Sequence, residues 1–213
     1  MARPWWVHVV RGLIVLTAIA EMVRGDVLYG VFCLIAVGVT LVPSLLARDL
    51  HARTPVELEV ALLLLMVGDM TFGNLLGWYV RLPWYDKVVH VGSSILVGLI
   101  GFLSIYVLHA TDRVRFRPWL DGVAIFLATV GIGAVWEIAE YAADHLFGRA
   151  TQGSPTMAPI DDTMIDLMLD SIGGIVAAVF GPVYMRCSAR SRRRVGELVE
   201  LISRRAERGT HAG

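Results

Sequence analysis

The sequence predicts an all-α membrane protein, a polytopic bundle of about six transmembrane helices. The chain has 213 residues, of which 56% are hydrophobic and 18% are charged, whereas a soluble domain is usually about 45–50% apolar and about 25% charged. The apolar residues are gathered into runs of about 20, the length of helix that crosses a bilayer. Because a backbone in lipid must satisfy its own hydrogen bonds, we expect each run to be a helix.

Six runs are interpreted as membrane spans. The predicted spans cover residues 5–23, 27–47, 58–80, 88–108, 119–143 and 163–185. The first carries Arg11 and Glu21 near its ends, and the third is interrupted by Asp69. A cleaved signal peptide is an alternative for the first run, with Ala18-Ile19-Ala20 as its cleavage site. The Trp5-Trp6 pair instead favours a retained span, because tryptophan anchors helices at the membrane interface.

Basic residues are distributed unequally between the two sides of the predicted bundle. The richer side carries Arg3, Arg48, Arg53, Arg113, Arg115, Arg117 and the arginines of the tail. The poorer side carries Arg24, Arg81, Lys87 and Arg149. By the positive-inside rule, both termini are predicted to be cytoplasmic. Residues 1–185 would then form the bundle and residues 186–213 a basic cytoplasmic tail. That tail could be an amphipathic helix on the membrane, although a solvated tail explains its composition more simply.

Polar residues inside three predicted spans recur every three or four positions, so that each set lies on one helix face. The three sets are Asp86, His90 and Ser94; Glu137, Glu140 and Asp144; and Asp162, Asp166 and Asp170. The predicted orientation places them in the outer half of the bilayer, together with Asp69 and Asn74 of the third span. A charge exposed to lipid costs about 2.5–3.5 kcal/mol on insertion scales. We therefore expect the three faces to meet in a polar cavity open to the outside.

The carboxylates of this predicted cavity outnumber its positive charges. Lys87 is the only lysine in the chain, and His90 adds a charge only when it is protonated. Buried excess carboxylates must be protonated, hydrated or bound to a cation. The predicted metal ligands are His90, Glu137, Glu140, Asp166 and Asp170. Carboxylates favour magnesium, manganese or calcium, and an imidazole would also permit zinc.

The same cavity could be an active site. The candidate catalytic residues are His90, Lys87 and Glu140, with His90 as a ligand or general base and Lys87 attracting a phosphate or carboxylate. The expected supporting polar residues are Asp69, Asn74, Asp86, Ser94 and Asp162. The chain has no nucleophile elbow, nucleotide-binding loop or zinc-protease motif. Gly131 and Gly133 lie within a span, where they favour helix packing.

Three short motifs resemble a known family of membrane proteins. The first, Trp84-Tyr85-Asp86-Lys87-Val88-Val89-His90, resembles a signature of VanZ-like proteins. With Trp136-Glu137-Ile138-Ala139-Glu140 and Asp161-Asp162-Thr163-Met164-Ile165-Asp166-Leu167, the chain is similar to YjdF-like bacterial inner-membrane proteins over residues 58–185. The family's usual Q-G-D-x-W-D segment is replaced by Gln152-Gly153-Ser154-Pro155. The resemblance implies a multi-pass protein of the bacterial cytoplasmic (inner) membrane, connected with the cell envelope, and no defined reaction.

We therefore expect a membrane-embedded site for a divalent cation that faces the envelope. The protein could act as a hydrolase or transferase on a lipid-linked or glycan substrate. A proton- or cation-coupled transporter is the alternative, and a non-catalytic structural or partner-binding membrane protein is the second alternative. Membrane lipids are expected partners and nucleic acid is not, because 19 basic residues balance 19 acidic ones. The sequence does not indicate an oligomeric state.

Overall fold

The regular secondary structure of the protein is helical, as the sequence predicts. The computed structural model describes residues 4–50, 56–111, 113–153, 157–187, 193, 196–197 and 199–200. The basic tail predicted from residue 186 onward therefore lies largely outside the described residues. So do Ser154 and Pro155 of the loop that precedes the last span.

Seven α-helices and one π-helix follow one another in the described part of residues 4–187. They are α1 (Trp5–Val23), α2 (Val27–Leu50), α3 (Val56–Met66), the π-helix (Val67–Leu75), α4 (Trp78–Arg81), α5 (Tyr85–Ala110), α6 (Pro118–Phe147) and α7 (Pro159–Cys187). Four segments among the described residues are long and apolar enough to cross a membrane, namely α1, α5, α6 and Pro159–Val183 of α7. Val27–Leu41 is a shorter apolar helix.

The third predicted span differs from the others in the structure. Residues 58–80 are divided among α3, the π-helix and α4 rather than forming one α-helix. A bond from the Leu76 N–H to the Thr71 carbonyl, 2.9 Å long, spans five residues and is typical of π geometry. Gly77 ends the segment with a φ of +69°, a conformation that glycine adopts without strain. The count of six spans and the cytoplasmic termini stay predictions.

The chain is divided into two compact units. Within residues 4–187, the described residues up to Trp78 form the first unit, and those from Tyr79 onward form the second. The core of the first unit is apolar and is built from α1, α2, α3 and the π-helix, with Val7, Ile14, Ala18, Cys33, Ala36, Leu63, Val67 and Met70 buried. Asp69 and Asn74, two of the predicted supporting residues, belong to the π-helix of this unit.

A buried arginine lies inside the first unit. Arg11 of α1 is 6% exposed, and its guanidinium donates to the Thr40 hydroxyl at 3.1 Å and to the Thr40 carbonyl at 2.8 Å. It also donates to Glu59 Oε1 of α3 at 2.7 Å. Charges in such a place are tolerated because they are paired and hydrogen-bonded. The network ties α1 to α2 and α3.

Small residues bring α5 and α7 close together in the second unit. A Cβ atom added to Gly173 would collide with the Ser94 side chain and lie 3.0 Å from the backbone nitrogen of Ile95. One helical turn along, Gly98 approaches Ala177 in the same way. Small residues four positions apart allow helices in lipid to approach at backbone distance. This close approach brings the polar faces of α5 and α7 together near the N-terminal ends of both helices.

Candidate functional site

Lys87 is the central cation of a cluster of aspartates in the second unit. Its Nζ donates to Asp86 Oδ2 at 2.8 Å, to Asp162 Oδ1 at 2.6 Å and to Asp166 Oδ2 at 2.8 Å. Asp162 and Asp166 are 7% and 2% exposed. An ammonium group has three N–H bonds, and three aspartates use all of them. In this arrangement Lys87 neutralises carboxylates of the cluster, and its attraction of a phosphate or carboxylate stays a prediction.

His90 lies between the carboxylates of α5 and those of α7. Its Nε2 is 3.8 Å from Asp86 Oδ1, one turn earlier on the same helix. Its Nδ1 is 3.9 Å from Asp166 Oδ1 and 3.9 Å from Asp170 Oδ1. The imidazole therefore has a carboxylate oxygen on each side and is buried among them.

Three of these side chains have the residue types and the proximity that could hold a metal ion. Asp86, His90 and Asp166 each offer one ligand atom, and the three atoms lie within 4.8 Å of one another. Ligand atoms about 2.0–2.2 Å from one ion are separated by roughly 3–4.4 Å. A small side-chain movement would therefore suffice for these residues to hold an ion, and they fit a divalent cation chemically.

Asp170 of α7 lies where α5, α6 and α7 meet. One of its oxygens, Oδ1, is hydrogen-bonded by the Ser94 hydroxyl of α5. Its carboxylate lies against Gly133 of α6, where an added Cβ atom would collide with Oδ2. Asp170 is 3% exposed, and its Oδ2 has no hydrogen-bond partner among the described residues. The missing side chain at position 133 thus provides the space in which the Asp170 carboxylate is seated.

Glu137 and Glu140 of α6 adjoin this cluster and lie outside the group of three ligand atoms. Glu137 Oε2 accepts a 2.7 Å hydrogen bond from the Thr163 hydroxyl, and Thr163 in turn accepts one from the Gln152 amide at 2.9 Å. Glu137 is 5% exposed, and its Oε1 has no partner within the described part of the chain. Glu140 accepts a hydrogen bond from the Trp136 indole at 2.9 Å.

Carboxylates hold residues 151–153 of the loop that follows α6. Asp144 accepts the backbone N–H groups of Thr151 and Gln152 at 2.7 and 3.0 Å. Asp162 Oδ2 accepts the Gly153 N–H at 2.8 Å while its other oxygen binds Lys87. Asp162 therefore joins the loop to the cluster and is more than a helix cap.

The structure brings most of the residues singled out in the sequence into one cluster. The members are Asp86, Lys87, His90, Ser94, Asp162, Asp166 and Asp170, with Glu137 and Glu140 adjoining. Sequence reasoning missed Thr163 and Gln152 and did not connect Gly133 with the site. Thr163 is three residues from Asp166 on the polar face of α7, and Gly133 is four residues from Glu137 on α6. Helical spacing could therefore have suggested both.

Comparison with known proteins gives two matches and no solved structure. An uncharacterised protein of Thermotoga maritima is 24% identical over 133 residues, which are 62% of this chain and 65% of the relative. The chain thus spans less than two thirds of that relative's length. Neither match supports the more remote VanZ-like resemblance.

The second match covers most of the chain and both units. The family described as predicted membrane protein, DUF2238, matches residues 4–187. That range includes every residue of the cluster around Lys87 and His90. The chain therefore belongs to the DUF2238 family of predicted membrane proteins.

Proposed function

We propose that the protein is a multi-pass membrane protein that binds a divalent cation through Asp86, His90 and Asp166. The observation that carries this proposal is the approach of three potential ligand atoms to within 4.8 Å of one another at a partly buried place, where Asp166 is buried and Asp86 is half-buried. Two carboxylates and an imidazole form a ligand set that several divalent metals accept.

The charge balance of the cluster around Lys87 and His90 supports a cation at this position. Six carboxyl groups belong to the cluster or adjoin it. They are those of Asp86, Asp162, Asp166 and Asp170, which are members, and of Glu137 and Glu140, which adjoin. Lys87 and a protonated His90 could neutralise two of them. Buried carboxylates without a partner are costly in a medium of low dielectric constant. A divalent cation would compensate charge where the side chains of the cluster do not.

We further propose that the site lies in the outer half of the cytoplasmic membrane and faces the envelope, as the distribution of arginine predicts. The similarity to YjdF-like proteins favours that location. A bound cation there could polarise a phosphoryl or carbonyl group of a lipid-linked or glycan substrate, with His90 or Glu140 as the base for hydrolysis or transfer. Hydrolysis of a phosphorylated lipid by the purified protein, abolished by His90→Ala, would support this step.

Equilibrium binding of Mn²⁺ to the purified protein in detergent tests the cation site. We expect saturable binding, followed by electron paramagnetic resonance, that Asp166→Asn weakens at least tenfold because a charged ligand is lost. Asp121→Asn is the matched control, since Asp121 pairs with His109 at 2.9 Å near the other end of α5. The proposal fails if the wild-type protein binds no Mn²⁺, or if both variants bind as the wild type does.

A second prediction concerns the effect of the Lys87 charge on the affinity for Mn²⁺. Because its ammonium shares Asp86 and Asp166 with the proposed ion, removing its charge should favour the ion. We expect Lys87→Met to bind Mn²⁺ about tenfold more tightly, equivalent to about 1.4 kcal/mol. Lys87→Arg retains the charge and should leave the affinity near that of the wild type. A folded Lys87→Met protein with weaker binding would contradict the shared-carboxylate arrangement.

A further inference from the structure

We propose, on the basis of the cation site above, that Asp170 positions His90 rather than binding the ion, and that the site therefore selects a first-row transition metal over magnesium and calcium. The proposal rests on the geometry of Asp170, Ser94 and Gly133 around the imidazole. If the cation site itself is absent, this inference falls with it, and the experiment below separates the two failures.

The two ring nitrogens of His90 face different partners. Nε2 faces Asp86, a member of the group of three ligand atoms, at 3.8 Å. Nδ1 faces Asp166 and Asp170, each at 3.9 Å. The two Asp166 oxygens lie 2.9 and 2.8 Å from Lys87 Nζ and share one of its N–H groups. Asp170 Oδ1 accepts instead from the neutral Ser94 hydroxyl. Because the charge of Asp166 is already compensated by a cation, Asp170 is the stronger acceptor for the Nδ1 proton.

Ser94 and Gly133 contact the Asp170 carboxylate on two sides and orient it toward His90. The Ser94 hydroxyl binds Oδ1, the oxygen nearer to His90, and Gly133 leaves room for Oδ2 on the other side. Oδ2 is buried without a hydrogen-bond partner among the described residues. A carboxylate held by these contacts has little freedom to turn.

An oriented imidazole changes which cations the site prefers. A carboxylate that accepts the proton of one ring nitrogen fixes the tautomer and makes the other nitrogen a better ligand. Imidazole suits zinc, iron, nickel and copper, whereas calcium takes six to eight oxygen ligands and magnesium retains several waters in an octahedral oxygen shell. One histidine and two aspartates thus match a transition metal better than either hard cation.

Binding of Co²⁺, read from its visible absorption spectrum, tests this inference because the spectrum reports the ligands directly. We expect the wild-type protein to bind Co²⁺ and to keep it in a hundredfold excess of Mg²⁺ or Ca²⁺. Gly133→Ala should displace the Asp170 carboxylate, weaken Co²⁺ binding about tenfold or more and alter the spectrum, as loss of an outer partner does at other metal sites.

Gly131→Ala is the matched control for Gly133→Ala. Gly131 lies on the same helix, and a Cβ atom there would meet nothing within 4 Å. Ser94→Ala removes the hydroxyl from Asp170 without adding bulk, and it carries the test if Gly133→Ala does not fold. We expect Gly131→Ala to behave as the wild type and Ser94→Ala to change the Co²⁺ spectrum.

The outcomes separate the inference from the proposed function. Failure of the wild type to bind Co²⁺, Mn²⁺ and Mg²⁺ alike would overturn both. If Mg²⁺ or Ca²⁺ displaces Co²⁺ at up to a hundredfold excess, selection of a transition metal is wrong while the cation site stands. Unchanged spectra and affinities in folded Ser94→Ala and Gly133→Ala would overturn the positioning role of Asp170 alone.

Discussion

Replacing Gly173 with valine is expected to destabilise the second unit by about 3 kcal/mol and to abolish cation binding. An added Cβ atom would collide with the Ser94 side chain and lie 3.0 Å from the backbone nitrogen of Ile95. Backbone atoms of a helix do not yield as a flexible side chain would, so α5 and α7 must separate. Asp86 and His90 would then move away from Asp166 and Asp170. The free energy of unfolding in detergent measures the loss of stability, and the affinity for Mn²⁺ measures the loss of cation binding.

Gly101→Val is the matched control for this substitution. It introduces the same β-branched residue into α5, at a position where a Cβ atom meets nothing within 4 Å. We expect its unfolding to change by less than about 1 kcal/mol, the ordinary difference in helix propensity. Equal destabilisation by the two substitutions would show that the α5–α7 approach does not limit stability.

Removing the partner of the buried arginine is expected to have the largest effect in the first unit. In Glu59→Leu, the Arg11 guanidinium would lose the carboxylate at 2.7 Å and be left charged in an apolar core. Breaking a buried ion pair from one side typically costs about 3–5 kcal/mol. Thr40 would still accept from Arg11, so the lower part of this range is expected. The free energy of unfolding in detergent measures the loss.

The double variant Arg11→Met/Glu59→Leu tests the cause of that loss. A pair of apolar side chains in place of a buried ion pair is often neutral or stabilising. We therefore expect the double variant to be more stable than Glu59→Leu alone. If the double variant loses as much stability as the sum of the two single variants, the residues are not energetically coupled.

Helical spacing was sufficient to predict which faces of α5 and α7 carry the site. Residues four apart share a face, so Asp86 and His90 on α5 and Asp162, Asp166 and Asp170 on α7 could be grouped from the sequence alone. Apolar run length predicted the helical fold in the same way. Both arguments use the rise and the residues per turn of an α-helix, which do not depend on the element against which the helix packs.

Pairing between helices could not be predicted by the same means. Nothing local marks Glu59 as the partner of Arg11, because the two residues are 48 positions apart and meet through tertiary packing. The Asp170 carboxylate occupies space that is free because Gly133 has no side chain. A glycine adds neither a charge nor a polar residue to the helical pattern, so the sequence does not mark this contact. The division of residues 58–80 into α3, a π-helix and α4 depends on which carbonyl each N–H reaches, a choice that hydropathy does not encode.

The position of a bound metal ion shows whether Asp86, His90 and Asp166 form the cation site. Crystals of the protein grown with Zn²⁺ and measured at the zinc absorption edge should show one anomalous peak about 2.0–2.2 Å from oxygens of Asp86 and Asp166 and from a ring nitrogen of His90. Asp170 should lie beyond coordination distance and contact the other ring nitrogen. A fully zinc-loaded crystal with no peak among Asp86, His90 and Asp166, or with its only peak elsewhere, would contradict the account.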